Sequence, residues 1–283
     1  MSATAPLPRG GQSAGEAPAC GFIGWGPESA ALLEALRRRF PDIESRAAAL
    51  ASGTVRAPLP RVMPSLEGLF QASELVFAEG GLKALQPHLP MIRLAISDRH
   101  VLVLLGGGWS LDALLGQLRE RKLARCMLLP TSPGTLGTLA FYASPYFAPE
   151  ELAAFRGLFD HLELCVELRE ERHFEVLQGL IDFAPAAFYT VMEAMADGVV
   201  MMGFSRAAAV QVLASLLHGA AQRVLSGEAS AAQLREQALE VDVAAAGLIE
   251  LESAGIRGAL MRAVQQAVRH PRTAIVSLPD EQD

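Results

Sequence analysis

The 283-residue chain is 51% hydrophobic, enough for two domains with sizeable cores, and its formal net charge of −7 comes with no run of Lys and Arg among aromatics. That balance excludes a phosphate-backbone binder, so no nucleic-acid partner is expected. Its cysteines, Cys20, Cys126 and Cys165, are odd in number and lack C-x-x-C spacing, which argues against a disulfide framework and a zinc site and for a reducing, cytoplasmic setting.

Residues 1–19 hold Pro, Gly, Ser and Ala with a lone Arg9 and no apolar core, so they fail as a signal peptide and read as a disordered leader. From Gly21 to about residue 130, short apolar runs alternate with helical stretches, the signature of βαβ units and a mostly parallel sheet. The pattern predicts strands at 21–24, near Ile43, and at 75–78, 100–105 and 125–129. A helix over 29–40 sets Leu32, Leu33, Leu36 and Phe40 on one face and Arg37, Arg38 and Arg39 on the other.

A further strand is predicted at 162–168, after which long Ala-rich helices run to about residue 270. The segment 183–204 raises the question of a membrane span, but Pro185, Glu193 and Asp197 interrupt it, and burial between helices explains it better. The helix over 205–225 is apolar on nearly all sides and must be enclosed, so a partner subunit is expected. With the glycine turn Gly24-Trp25-Gly26 directly after the first strand, the domains expected are a leader (1–19), a Rossmann-like dinucleotide-binding domain (20–176), a helical dimerisation domain (177–272) and a tail (273–283). The fold class is therefore an α/β Rossmann-like N-terminal domain followed by an all-α dimerisation domain.

Gly24-Trp25-Gly26-Pro27-Glu28-Ser29 follows the first strand and opens the first helix in the layout G-x-G-x-x-G/A, with Ser in the last place. The first glycine makes a tight turn, the second lets backbone N–H groups approach a pyrophosphate, and the third place needs a small side chain against the strand. These six residues are the cofactor-binding candidates. Ser45 and Arg46 can hold a ribose 2′-phosphate and so favour NADPH, Glu44 keeps NADH open, and Arg46 as a solvated surface residue is the bland alternative. No spacing of His, Cys, Asp and Glu suggests a metal.

Together these features resemble the pyrroline-5-carboxylate reductase family over residues 20–270. Gly21 to Gly26 is similar to its G-F-I-G-x-G opening, and Leu129-Pro130-Thr131-Ser132-Pro133 to its M-P-N-T-P turn. Ala184-Pro185-Ala186, then the run from Glu193 to Gly198, then Gly203-Phe204-Ser205-Arg206 resemble its G-P-A, D-A-L-A-D-G and G-L-P-R segments in order. The segments His218–Ala221 and Leu248–Glu252 fit the helices that follow. The resemblance implies a Rossmann domain plus a helical domain that interlocks with a second copy in a homodimer or larger homo-oligomer. It also implies an active site between the two domains and a nicotinamide-dependent reduction of a small cyclic imine, the last step of proline biosynthesis.

Where the family carries the hydroxyl-bearing loops S-G-S-G-P-A and T-S-P-G-G-T-T, this chain reads Ile181 to Ala186 and Leu239 to Ala245, with no hydroxyl in either. The Val-Lys-Pro after the third family strand has become Glu79-Gly80-Gly81. Asp182 and Asp242 bring negative charge to places expected to anchor a carboxylate, so a substrate diverged from pyrroline-5-carboxylate is expected, a neutral or cationic imine or a related carbonyl compound facing Glu171, Glu175, Asp182 or Asp242. A catalytically inactive dimer retained for binding or regulation is the alternative.

Overall fold

The computed structural model describes residues 17–48, 60–108, 111–132, 135–240 and 242–270. The leader, apart from 17–19, and the tail expected at 273–283 lie outside these residues. The chain divides into two compact units, one ending at Glu171 and the next beginning at Arg172.

The first unit is built on β1 (Cys20–Ile23), β2 (Ser45–Ala48), β3 (Arg61–Val62), β4 (Leu75–Ala78), β5 (Val101–Leu105), β6 (Lys122–Ser132), β7 (Thr135–Ala143) and β8 (Leu164–Glu167). They form one sheet in the order β3-β2-β1-β4-β5-β6-β7-β8. The strands β1 to β6 run parallel, β7 reverses against β6, and β8 runs parallel to β7. Strand order reverses between β1 and β4, and the crevice at the carboxyl ends of such a pair is where open α/β sheets bind ligands.

Successive residues of the central strands feed opposite cores. Phe22, Phe77, Val103 and Phe141 pack on one face with Leu32, Leu33 and Leu36 of α1 (Pro27–Arg39). Ile23, Val76, Leu102 and Leu104 pack on the other, against α2 (Leu66–Gln71) through Leu69 and Phe70. Beyond the short α3 (Gly81–Leu85), α4 (Leu89–Ala95) and α5 (Leu111–Leu118) join that second layer through Ile92, Leu114 and Leu118. The helix α6 (Pro149–Gly157) adds Phe155 to the first layer. Fully parallel strands buried on both faces account for the continuous apolar runs visible in the sequence.

Two strands had no counterpart in the sequence pattern. β3 is only two residues long and exposed. β7 sends Leu139 and Phe141 to one core and Tyr142 against the other, but Gly137 and the neighbouring threonines dilute its apolar run. The strand expected near Ile43 lies at 45–48, because the Ile43 N–H closes a turn on the Phe40 carbonyl at 3.1 Å and the strand starts after it.

The second unit consists of α7 (His173–Met201), α8 (Arg206–Leu225), α9 (Ala231–Ala238), α10 (Asp242–Ser253) and α11 (Ile256–Arg269). The helical unit thus claims residues 172–176, which the sequence pattern assigned to the first domain, because α7 already begins at His173. α7 packs on α8 and α11. It approaches α11 closely at Gly179, where a Cβ would stand 2.8 Å from the Val268 Cα. In α8 only Ala209 is buried, while Val212, Leu216, Leu217 and Val224 are exposed, so this chain alone does not enclose its apolar helix. No helix among the described residues is long and apolar enough to cross a membrane.

Candidate nucleotide site

At the end of β1 the chain is held on both sides. The Gly24 N–H donates to the Ala48 carbonyl (3.1 Å) and the Glu79 N–H donates to the Ile23 carbonyl (3.0 Å). Gly24 then turns with φ of +76°, a left-handed conformation that glycine adopts without steric cost. Gly26 is the N-cap of α1, has no side chain to offer the helix, and is followed by Pro27 at the first helical position, where a missing N–H costs nothing. The amides of Glu28 and Ser29 are left pointing out of the helix end, where the dipole favours an anion.

An anion is there, supplied by the protein. Glu79, at the carboxyl end of β4, accepts the Ser29 N–H on Oε2 (2.8 Å) and the Glu28 N–H on Oε1 (3.3 Å). A Cβ on Gly26 would collide with this carboxylate. Glu28 itself is half-buried, and its carboxylate lies over Gly106, at the end of β5, so closely that a Cβ there would collide with it. Burial, and then the neighbouring Glu79, push the Glu28 carboxyl above the usual carboxylate range. Two carboxylates therefore share the crevice above β1, β4 and β5.

Of the other turn residues, Trp25 packs edge-on against Phe22 with ring centroids 5.1 Å apart, and its buried Nε1 has no partner among the described residues. Ser29 is fully buried and its Oγ likewise lacks a partner, which gives a physical reason why the third fingerprint place suits Gly or Ala better. Pro27 is exposed.

Ser45 and Arg46 are not brought to this turn. β2 is parallel to β1 with Ser45 opposite Cys20, so both stand toward the amino ends of the strands while the turn lies beyond the carboxyl ends. The Arg46 guanidinium donates to the Ala72 carbonyl (3.0 Å), just before β4, and pairs with Glu44 (2.5 Å). Strand direction, invisible in a two-residue motif, thus removes Arg46 from the 2′-phosphate position assigned to it, and Glu44 goes with it. The residues after β2, 49–59, lie outside the described residues.

Glu171 is also committed elsewhere. It pairs with the largely buried Arg125 of β6 (3.1 Å), and both its oxygens accept the Leu111 N–H at the start of α5 (2.8 and 3.0 Å). It locks a helix end to a strand within the first unit. Glu175 and Asp182, seven residues apart, share one face of α7, and both are exposed. Asp182 accepts from Gln178 (3.0 Å). Asp242 is the first residue of α10, exposed at a helix end that favours its charge. The segment 181–186 lies inside α7, and no group of side chains among the described residues can hold a metal ion.

The sequence pattern missed the part played by Glu79. Its signal, an acid where a strand runs out into two glycines, is visible, but only the placement of β4 beside β1 brings that acid to the end of α1.

Residues 171–274 match the family model for pyrroline-5-carboxylate reductase dimerisation. Pyrroline-5-carboxylate reductase 3 of Xenopus laevis is 32% identical over 193 residues, covering 65% of this chain and 69% of the relative. The pyrroline-5-carboxylate reductase of Synechocystis is 27% identical over 176 residues, 61% of this chain and 65% of that one, a little under two thirds of its length. Among solved structures, a pyrroline-5-carboxylate reductase from Coxiella burnetii superposes with a TM-score of 0.73 at 16% identity, over 89% of this chain and 97% of that one. The Plasmodium falciparum pyrroline carboxylate reductase with NADP bound gives 0.64 at 19% identity, over 89% and 95%. A shared fold along nearly the whole chain, a matching dimerisation segment and a relative at 32% identity agree, and the chain belongs to the pyrroline-5-carboxylate reductase family.

Proposed function

We propose that this protein is a homo-oligomeric reductase that uses NADPH, or NADH, to reduce the C=N bond of a small imine or the C=O bond of a related carbonyl compound. The observation that carries this reading is the Gly24–Ser29 turn at the strand-order reversal, whose Glu28 and Ser29 amides already hold a carboxylate and so have the geometry to hold a phosphate oxygen. When bound there, a reduced nicotinamide supplies a hydride to the imine carbon while the nitrogen takes a proton, leaving an amine and the oxidised cofactor. The chain's own contribution is to hold the reactants within about 3–3.5 Å and in line, since a protonated imine asks for little further acid catalysis.

Glu175, Asp182 and Asp242 are the candidate substrate-facing groups, and their charge favours a neutral or cationic substrate over an anionic one. Their helical unit exposes the apolar faces of α7 and α8, including Phe188, Met195, Val212 and Leu216, which supports assembly with a second copy. The occupied amide pair favours a second reading, a non-catalytic dimer that kept the fold for a binding or regulatory role. The deciding experiment is a fluorescence titration with NADPH and NADH, followed by cofactor oxidation against cyclic imines with and without a carboxylate. Oxidation with a carboxylate-free imine supports the reductase. Binding without turnover of any imine or carbonyl compound favours the second reading, and no binding at millimolar nucleotide sinks the enzyme.

A further inference from the structure

We infer that Glu79 sets how tightly this chain holds a nucleotide: its carboxylate is a built-in anion seated where the cofactor's diphosphate would sit, and binding must displace it. This rests on the cofactor reading above and adds the residue that tunes it. A diphosphate needs the amides of Glu28 and Ser29, and in this chain both already donate to Glu79. The space that the missing side chain of Gly26 leaves open, the approach a pyrophosphate uses, is filled by the same carboxylate. The Glu28 carboxylate over Gly106 adds a second negative charge at the crevice, so an incoming diphosphate would also meet like charge.

The contact is built to be exchangeable. Glu79 is followed by Gly80 and Gly81, with φ of +113° and +79°, so the two residues after it add no side chain of their own. The carboxylate leaves the amides by rotating about its own side-chain bonds, with β4 and its backbone bond to Ile23 intact. Only the fraction of molecules with Glu79 released is competent to bind, so the apparent dissociation constant is the intrinsic one divided by that fraction.

The test uses the full chain and two variants, Glu79→Val, which removes the carboxylate, and Glu79→Gln, which removes only its charge. NADPH is titrated by fluorescence and inorganic pyrophosphate by calorimetry, with circular dichroism checking the fold. Glu79→Val is expected to bind both ligands about tenfold or more tighter than the parent, with Glu79→Gln between them. If Glu79→Val does not fold, the tightening in Glu79→Gln carries the test. Equal or weaker NADPH binding in folded variants overturns the gate and leaves the cofactor reading standing. Tighter pyrophosphate binding in the variants with no NADPH bound by any of the three proteins supports the gate and sinks the cofactor reading. No binding of either ligand to any protein overturns both.

Discussion

Glu79 Oε2 lies 2.8 Å from the amide nitrogen of Ser29, so the first helix of the sheet unit is capped by a residue 50 positions away in sequence, because Gly26 at its N-cap has no side chain of its own. In an ordinary helix a local Ser, Thr, Asp or Asn makes that bond. Here the cap ties α1 to the end of β4, across the point where the strand order reverses.

That cap has a stability consequence opposite to its effect on binding. Replacing Glu79 by Val leaves the Glu28 and Ser29 amides unpaired and is expected to lower the free energy of unfolding, without nucleotide, by about 1 kcal/mol. Urea denaturation of the apo protein measures this. A variant as stable as the parent would show that the cap carries no energy.

Glu28 should give stability the opposite pH slope from a capping acid. Burial, and then Glu79, raise its folded-state pKa above the unfolded value, so the charged form is disfavoured in the folded chain. A group raised in this way contributes stability that is present at low pH and lost as pH rises through the folded pKa. Glu28→Gln is therefore expected to raise the melting temperature at neutral pH, with the gain shrinking as pH falls through the raised folded-state pKa and gone once pH is below the usual carboxylate range. Melting curves of both proteins from pH 4 to 8 check it; a gain independent of pH would remove titration as the cause.

The Arg125–Glu171 pair is largely buried, with side chains 10% and 19% exposed, and Glu171 also holds the Leu111 amide. Glu171→Ala removes the carboxylate that Arg125 and the Leu111 amide share and is expected to cost about 3 kcal/mol. Arg125→Met combined with Glu171→Met should recover much of that loss, since an apolar pair needs no partner. A double variant as unstable as Glu171→Ala would mean that the cap at Leu111, rather than the ion pair, carries the energy.

On α8, Leu216 is 65% exposed and Val212 is 50% exposed in the single chain. If a second copy covers them, Leu216→Glu buries a charge in that interface and should weaken association by about a hundredfold or more, while the fold of the single chain, where the position is solvated, changes little. Light scattering across a dilution series separates the outcomes. An unchanged assembly places the interface elsewhere.

Period and fingerprint were enough to read the parallel sheet, the helix after Ile23, the glycine turn and the all-helical C-terminal part, because alternation and helical spacing are local properties of the chain. The over-apolar helix 205–225 was legible for the same reason, as was the erosion of hydroxyls around Asp182 and Asp242. The antiparallel β7 was not, because Gly137 and its threonines blur the apolar run that its burial on two faces would otherwise produce.

Side-chain partners belong to the tertiary structure alone. Arg46 looked like a phosphate ligand until strand direction set it beside Ala72, toward the amino ends of the strands. Glu171 stands in the sequence without a partner, and only the fold brings it Arg125 from β6 and the first amide of α5. Glu79 looked like the loss of a family motif until β4, placed beside β1, delivered its carboxylate to the amides of α1. The sequence by itself determined most of the segments that become strand and helix and where backbone can come close to a phosphate. What meets that backbone depends on which strands are neighbours and which way they run, and those are long-range relations that no local pattern encodes.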